Sequence, residues 1–430
     1  VSVSADNNLG AAASLVSDRL RLNGGTLKVT ASFTMAANRG ITLSAASTIE
    51  VDSGATLTYG GVVADGASSG RLTKSGAGTV TFSGTNTYTT GTTVTGGTVS
   101  VATDRNLGAV PGTTTVDHLV LNGGTLAVTA SVSIDAKRGI TLDANDGTIS
   151  VPTGITFTYP GVIAGASGAD FTKAGAGTLV LSGANTYAGN TRISDTTSKI
   201  SLTGTIGAGP TPASYAGTIT VDSGAVLEHA STSDQVLTGN ITGAGVLNKV
   251  TAASQSTLTL SGTASDYTGL TTVSYGTLKI TTNAALGGSA SSAERTIVQS
   301  GATLEIAGDG TLSSAEPLSI IGTGYSPNSA AVYFSSTATM SGATAMTGNS
   351  TLSVADTKTG TMSGAISGAF DLTKSTSGTL VLAATNTYSG TTTVSNSGGT
   401  LSVTCTLGSG TYTPNISIGS SAIFSYDSAS

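Results

Sequence analysis

The sequence predicts an all-β fold, a parallel β-solenoid (β-helix) wound from coils of about 20 residues. Three observations predict it: one sentence recurs along the chain, the recurrences are spaced in multiples of a small unit, and the apolar residues come in short alternating runs. The recurring sentence is FTKAGAGTLVLSGANTYAGNTRISDTTSKISL at 171–202, with relatives beginning at 72, 247 and 372. Each such unit buries its apolar face only by stacking on neighbours.

The spacing of the repeated lysines sets the size of the unit. Lys74, Lys173, Lys249 and Lys374 are 99, 76 and 125 residues apart, which no tandem domain of fixed length produces. A coil of about 20 residues taken five, four and six times does. Local echoes agree: TVTF at 79 returns as TVSV at 98, TLTL at 257 as TLKI at 277, and TLVL at 379 as TLSV at 400.

Taken in order, large repeats run over approximately 1–98, 99–197, 198–280 and 281–403, and 404–430 starts another. In the second, short strands are expected at 99–101, 119–121, 140–142, near 180 and near 201, joined by Gly, Ser and Asn. LNGGTL at 22 answers LNGGTL at 121, and RGITL at 39 answers RGITL at 138. Asn-Gly-Gly and Arg-Gly are read as positive-φ turns. The segment 310–368 is the most divergent; with Pro317, Tyr325 and Pro327 it is expected to hold a surface excursion. About 21 coils stacked at about 4.8 Å would make a rod on the order of 100 Å long.

Composition narrows the function classes. Charged residues are 9%, aromatics 4%, Trp is absent and Gly numbers 59, while mean hydropathy is +0.21. A disordered chain combines low hydrophobicity with high net charge; here the net charge is only -6. Seventeen Lys plus Arg over 430 residues and a pI of 4.8 offer no basic patch, so a nucleic-acid partner is not expected. No run reaches the roughly 18 apolar residues of a transmembrane segment. The single Cys405 forms no internal disulfide, which suits a secreted chain held by strand ladders.

VSV at 1 matches VSV at 99, and IGSSAIF at 418 resembles VDSGAVL at 221. The chain is therefore expected to begin and stop inside repeats, either as part of a longer protein or as a subunit that stacks head to tail. The expected partner is the chain itself, by end-to-end or lateral association or by continuation of the same longer chain, since open coil ends present unpaired strand edges.

The motif at 175–191, G-x-G-T-L-x-L-S-G-x-N-T-Y-x-G-x-T, is followed elsewhere by G-T-L-x-V and S-G-A-T-L. It resembles the autotransporter-associated β-strand repeat of bacterial surface passengers. That resemblance implies a right-handed β-helix, an extracellular location at the bacterial cell surface, and an adhesin or surface-fibre role. In that family export runs through a C-terminal barrel, which these residues do not contain.

Each candidate site also has a plainer reading. The four lysines are a binding stripe or, four to six coils apart, structural side chains that snorkel to solvent. Asn86, Asn185 and Asn386, with Tyr88, Tyr187, Tyr267 and Tyr388, are a glycan-contacting face or turn asparagines with tyrosines covering a corner. Asp143, Asn145 and Asp146 hint at a calcium loop but miss its spacing, which favours an Asp-Gly turn. His118 and His229 lie far apart, so neither a triad nor a metal cluster is expected. Asp18, Glu50 and Asp52 read as surface acids. A β-helical polysaccharide lyase or hydrolase needs charges gathered in one groove, and they are sparse. The expectation is thus a non-enzymatic structural fibre or stalk without catalytic residues, metal or cofactor. The alternative is an adhesin whose divergent segment binds a glycan or another cell-surface ligand.

Overall fold

The structure, a computed structural model, describes residues 1–11, 14–209, 212–250, 256–288, 295–308, 312–325, 329–395, 397, 399–408 and 411–427; Pro327 lies outside them. It is an all-β parallel solenoid with roughly 22 residues to a turn. Paired residues on successive turns lie from 19 apart, as Thr79 with Thr98, to 28 apart, as Leu304 with Val332. The expected 20 is near the short end, because corners take up extra residues without disturbing the ladders. Among the described residues there is no α-helix, only single 3₁₀ turns at Asp6–Leu9 and Asp104–Leu107.

The chain divides into two compact units, Val1–Ala208 and Gly209–Ser430. In the first, an eight-stranded ladder and a three-stranded ladder supply two walls. A further wall stacks Thr56–Tyr59, Thr79–Phe82, Thr98–Val101, Thr125–Val128 and Gly147–Ser150 in parallel. Val132–Ser133, Thr156–Tyr159, Thr178–Leu181 and Lys199–Leu202 form another. In the second unit a six-stranded ladder runs from Ser313–Ser314 to Ile423–Tyr426, beside two longer ladders. The 11-residue strand Thr344–Val354 joins both of these, pairing with Leu318–Gly322 and with Val332–Phe334. The divergent segment is therefore mostly ordinary coil. Among its described residues, Tyr325 and Ala330 form an antiparallel bridge outside the ladders.

Strands form here because Thr-x-Thr and Thr-Leu-x-Val runs alternate: β-branched hydroxyl residues face out and aliphatic residues face in. Leu57, Val80, Val99, Leu126 and Ile149 stack in one register column, all fully buried. Burying such a side chain stabilises by about 1.5–3 kcal/mol, so the core is a set of columns, each continued by the next turn.

Two glycine types shape the corners. Gly76 and Gly175 turn the chain at φ +73° and +75°, a region that disfavours side chains. Gly183 instead permits contact between turns, since a Cβ there would sit 2.0 Å from the Gly161 carbonyl oxygen. Of the expected positive-φ turns, Gly24 and Gly123 of Asn-Gly-Gly have them. Arg-Gly does not: Arg39–Leu43 and Arg138–Leu142 are strands.

Candidate functional site

The four repeated lysines occupy places in apolar columns. Lys74 stands between Ile49 and Val94, Lys173 between Ile149 and Ile193, Lys249 between His229 and Val273, and Lys374 between Leu352 and Val394. They point inward because each follows a buried Leu or Phe by two residues, Leu72, Phe171, Leu247 and Leu372, and so shares its side of the strand. All are at most 1% exposed, so the snorkelling expected of them does not occur. Each ammonium instead donates to turn oxygens. Lys74 Nζ reaches the carbonyls of Ser75 at 2.7 Å, Gly76 at 2.8 Å and Gly96 at 3.1 Å, the last on the next turn. Lys173 Nζ donates to the Ala174 and Gly175 carbonyls at 2.9 and 2.6 Å and to Ser198 Oγ at 2.9 Å. Lys249 Nζ donates to Ser256 Oγ at 3.1 Å, and Lys374 Nζ to the Ser375 carbonyl at 2.8 Å. Burial pulls all four pKa values down to about 8, since desolvation penalises the charged form.

The asparagines and tyrosines stand where a turn of the solenoid lacks a strand. Asn86 Oδ1 accepts the Val63 N–H at 2.8 Å, and its Nδ2 donates to the Asn106 carbonyl at 2.6 Å. Asn185 repeats this with the Ile163 N–H at 3.0 Å and the Thr205 carbonyl at 3.1 Å. Asn386 accepts the Ile366 N–H at 2.9 Å. One amide thus replaces a ladder bond to the turn before and, in the first two copies, also reaches the turn after. In the third copy Ser265 Oγ takes the place, accepting the Ile241 N–H at 3.1 Å. Two residues on, Tyr88, Tyr187, Tyr267 and Tyr388 share a hydrogen bond with Thr92, Thr191, Thr271 and Thr392 at 2.7–2.9 Å. All seven of these Asn and Tyr side chains are at most 1% exposed. Sealed from solvent, these side chains are out of a sugar's reach.

Sequence reasoning missed the strongest polar cluster. Arg138, 1% exposed, donates to Asp104 Oδ1 at 3.0 Å and to the Leu107 and Gly108 carbonyls at 3.0 and 3.1 Å, and its Nη1 lies 3.0 Å from His118 Nδ1. Arg39 repeats this with Asp6 and the Leu9 and Gly10 carbonyls. The signal was present: Asp-x-Asn-Leu-Gly precedes Arg-Gly-Ile-Thr-Leu by nearly the same interval in both copies. Burial, then Arg138, lowers the His118 pKa to about 4. His229 falls to about 3, from burial and then Lys249. Among the described residues, neither of its buried ring nitrogens has a hydrogen-bond partner.

The remaining candidates are surface features. Asp146 turns at φ +66° and accepts the Asp170 N–H at 2.8 Å. Glu50 and Asp52 both pair with Lys28, and Asp18 pairs with Arg21. Among the described residues, no group of three or more His, Cys, Asp or Glu could hold a metal ion, and no helix is long and apolar enough to cross a membrane.

Comparison with known proteins places this geometry. The model of the passenger-associated-transport-repeat matches residues 72–101, 171–195, 251–280 and 372–403. Each match contains one of the four buried lysines or, in the third copy, starts just after it. Over 155 residues, 36% of this chain, the sequence is 36% identical to the adhesin BmaC autotransporter of Brucella suis biovar 1 (strain 1330). The matched stretch spans 4% of that adhesin's length. No solved structure matches the chain.

Proposed function

We propose that this chain, an autotransporter passenger-type β-solenoid carrying four passenger-associated-transport-repeats, is displayed at the bacterial surface as a stiff, non-enzymatic spacer. The observation that carries the reading is the fate of the repeated residues. Lysine, asparagine and tyrosine, the side chains best suited to chemistry or recognition, are spent inside the solenoid on bonds between turns. What faces outward is largely Thr and Ser on flat ladders, a surface with little concavity for catalysis. Similarity to an adhesin supports surface placement. In this reading the coils stack on further coils of the same kind, within one longer chain or between copies, and stiffness comes from that continuity.

The second reading is that the passenger itself adheres to a glycan or matrix surface. Deletion of 310–368 from the passenger on living cells separates the two. A spacer keeps its attachment when these turns are removed and only its reach shortens. Loss of attachment with surface display intact overturns the spacer reading in favour of adhesion through that segment.

A further inference from the structure

Seven of the twelve tyrosines are sealed in the core at 1% exposure or less, so a ring left at the surface is the exception. Three of the other five, Tyr275, Tyr325 and Tyr333, are half-buried within three successive turns of the second unit. Tyr275 precedes the strand Gly276–Ile280, and its ring lies over Gly301, where an added Cβ would be 3.7 Å away. The Tyr325 ring meets it with centroids 5.9 Å apart and planes inclined by 50°. The Tyr325 N–H donates to Thr303 Oγ1 at 2.9 Å, and that hydroxyl, fully buried, donates to the Ala330 carbonyl at 2.8 Å. The backbone at Tyr325 is therefore anchored from the core.

Polar groups stand beside the rings. Lys279, Glu305 and Tyr333 form one outward row across three turns, with Lys279 Nζ 3.1 Å from Glu305 Oε1. Ser335 Oγ donates to the same carboxylate oxygen at 2.8 Å. Tyr275 stands at the corner four residues before Lys279, and Tyr333 two turns from Lys279, about 10 Å across.

We infer that this surface binds a neutral oligosaccharide. A pyranose presents flat apolar C–H faces that stack on aromatic rings, and edge hydroxyls that need both donors and acceptors. Here two abutting rings supply the platform, while an ammonium, a carboxylate and a hydroxyl supply the edge contacts. Lys279 is already neutralised by Glu305, so the patch has no net charge to attract an acidic glycan, and Glu305 opposes one. The site rests on the second reading above, adhesion through 310–368, since Tyr325, Tyr333 and Ser335 lie in that segment; Tyr275, outside it, lets the site be tested with the segment in place.

The test is titration of the full 430-residue chain with cellohexaose, maltohexaose, chitohexaose and a heparin hexasaccharide, read by tyrosine fluorescence, which no Trp obscures. Saturable binding of at least one neutral hexasaccharide is expected. Tyr275→Ala and Tyr325→Ala each weaken it by roughly tenfold or more with far-UV circular dichroism unchanged, and Tyr426→Ala leaves it alone. Lys279→Met gives a second loss, read only where its far-UV circular dichroism matches the parent, because it leaves Glu305 without its ion-pair partner. The inference is overturned if no neutral hexasaccharide binds, if only heparin binds, or if the folded variants bind as tightly as the parent.

Discussion

Replacing Lys173 by Met tests the buried-lysine column most sharply, because two opposing terms can be read from the structure. The ammonium is fully buried, and its pKa falls from 10.5 to about 8, chiefly by desolvation, with Asp195 acting weakly the other way. That difference is a burial penalty of about 3 kcal/mol on the charged form. Met fills a similar volume and removes the penalty, but leaves the Ala174 and Gly175 carbonyls and Ser198 Oγ without their donor, at about 1 kcal/mol each. At pH 7 the terms offset, and the variant is expected within about 1 kcal/mol of the parent. The sign with pH is fixed by linkage. A lysine depressed on folding binds fewer protons folded than unfolded, so the parent is least stable below pH 8 and gains stability as pH rises from 8 to 10.5. Lys173→Met lacks that gain. Urea unfolding followed by circular dichroism at pH 7, 8, 9 and 10.5 should show the gap between the two widening by about 3 kcal/mol. A gap that stays constant across this range would refute the burial argument, since the ammonium would then titrate as in water.

Three further outcomes are expected. His229, depressed to about 3, favours the fold above pH 6.5 and withdraws that support as pH falls toward 3, so His229→Ile should lower the acid-unfolding midpoint by about one pH unit; an unchanged midpoint counts against it. Gly183→Ala forces a Cβ against the Gly161 carbonyl and should cost roughly 2–4 kcal/mol in urea unfolding, whereas a cost near zero would mean the turns part freely there. Asn185→Ala strips the Ile163 N–H of its acceptor, a loss of about 1–3 kcal/mol; hydrogen exchange at Ile163 should accelerate by roughly tenfold or more, and unaltered protection would show that another group satisfies it.

Much of the fold was legible because period-2 alternation and echoing strands carry the coil in local sequence. The 79-to-98 and 257-to-277 echoes are paired registers in the structure. Coil length was less legible, since corners hold variable insertions: Thr98 pairs Thr125, 27 residues on, by way of the 3₁₀ turn Asp104–Leu107. The inward lysines were readable from the apolar residue two before each, but charge argued for the surface, and that prior failed where turn oxygens converge. Asn185 and Tyr187 recur for a reason visible only in three dimensions: their segment replaces a strand, so its side chains make the bonds that a ladder would have made. The Tyr275–Tyr325 pair was hidden for the opposite reason, because it joins turns 50 residues apart outside the repeated motif.

Electron microscopy of material sheared from the bacterial surface tests the central claim most directly. A stiff passenger spacer predicts straight fibres with an axial repeat of about 4.8 Å. Compact particles without that repeat, or no material released from the surface, would contradict it.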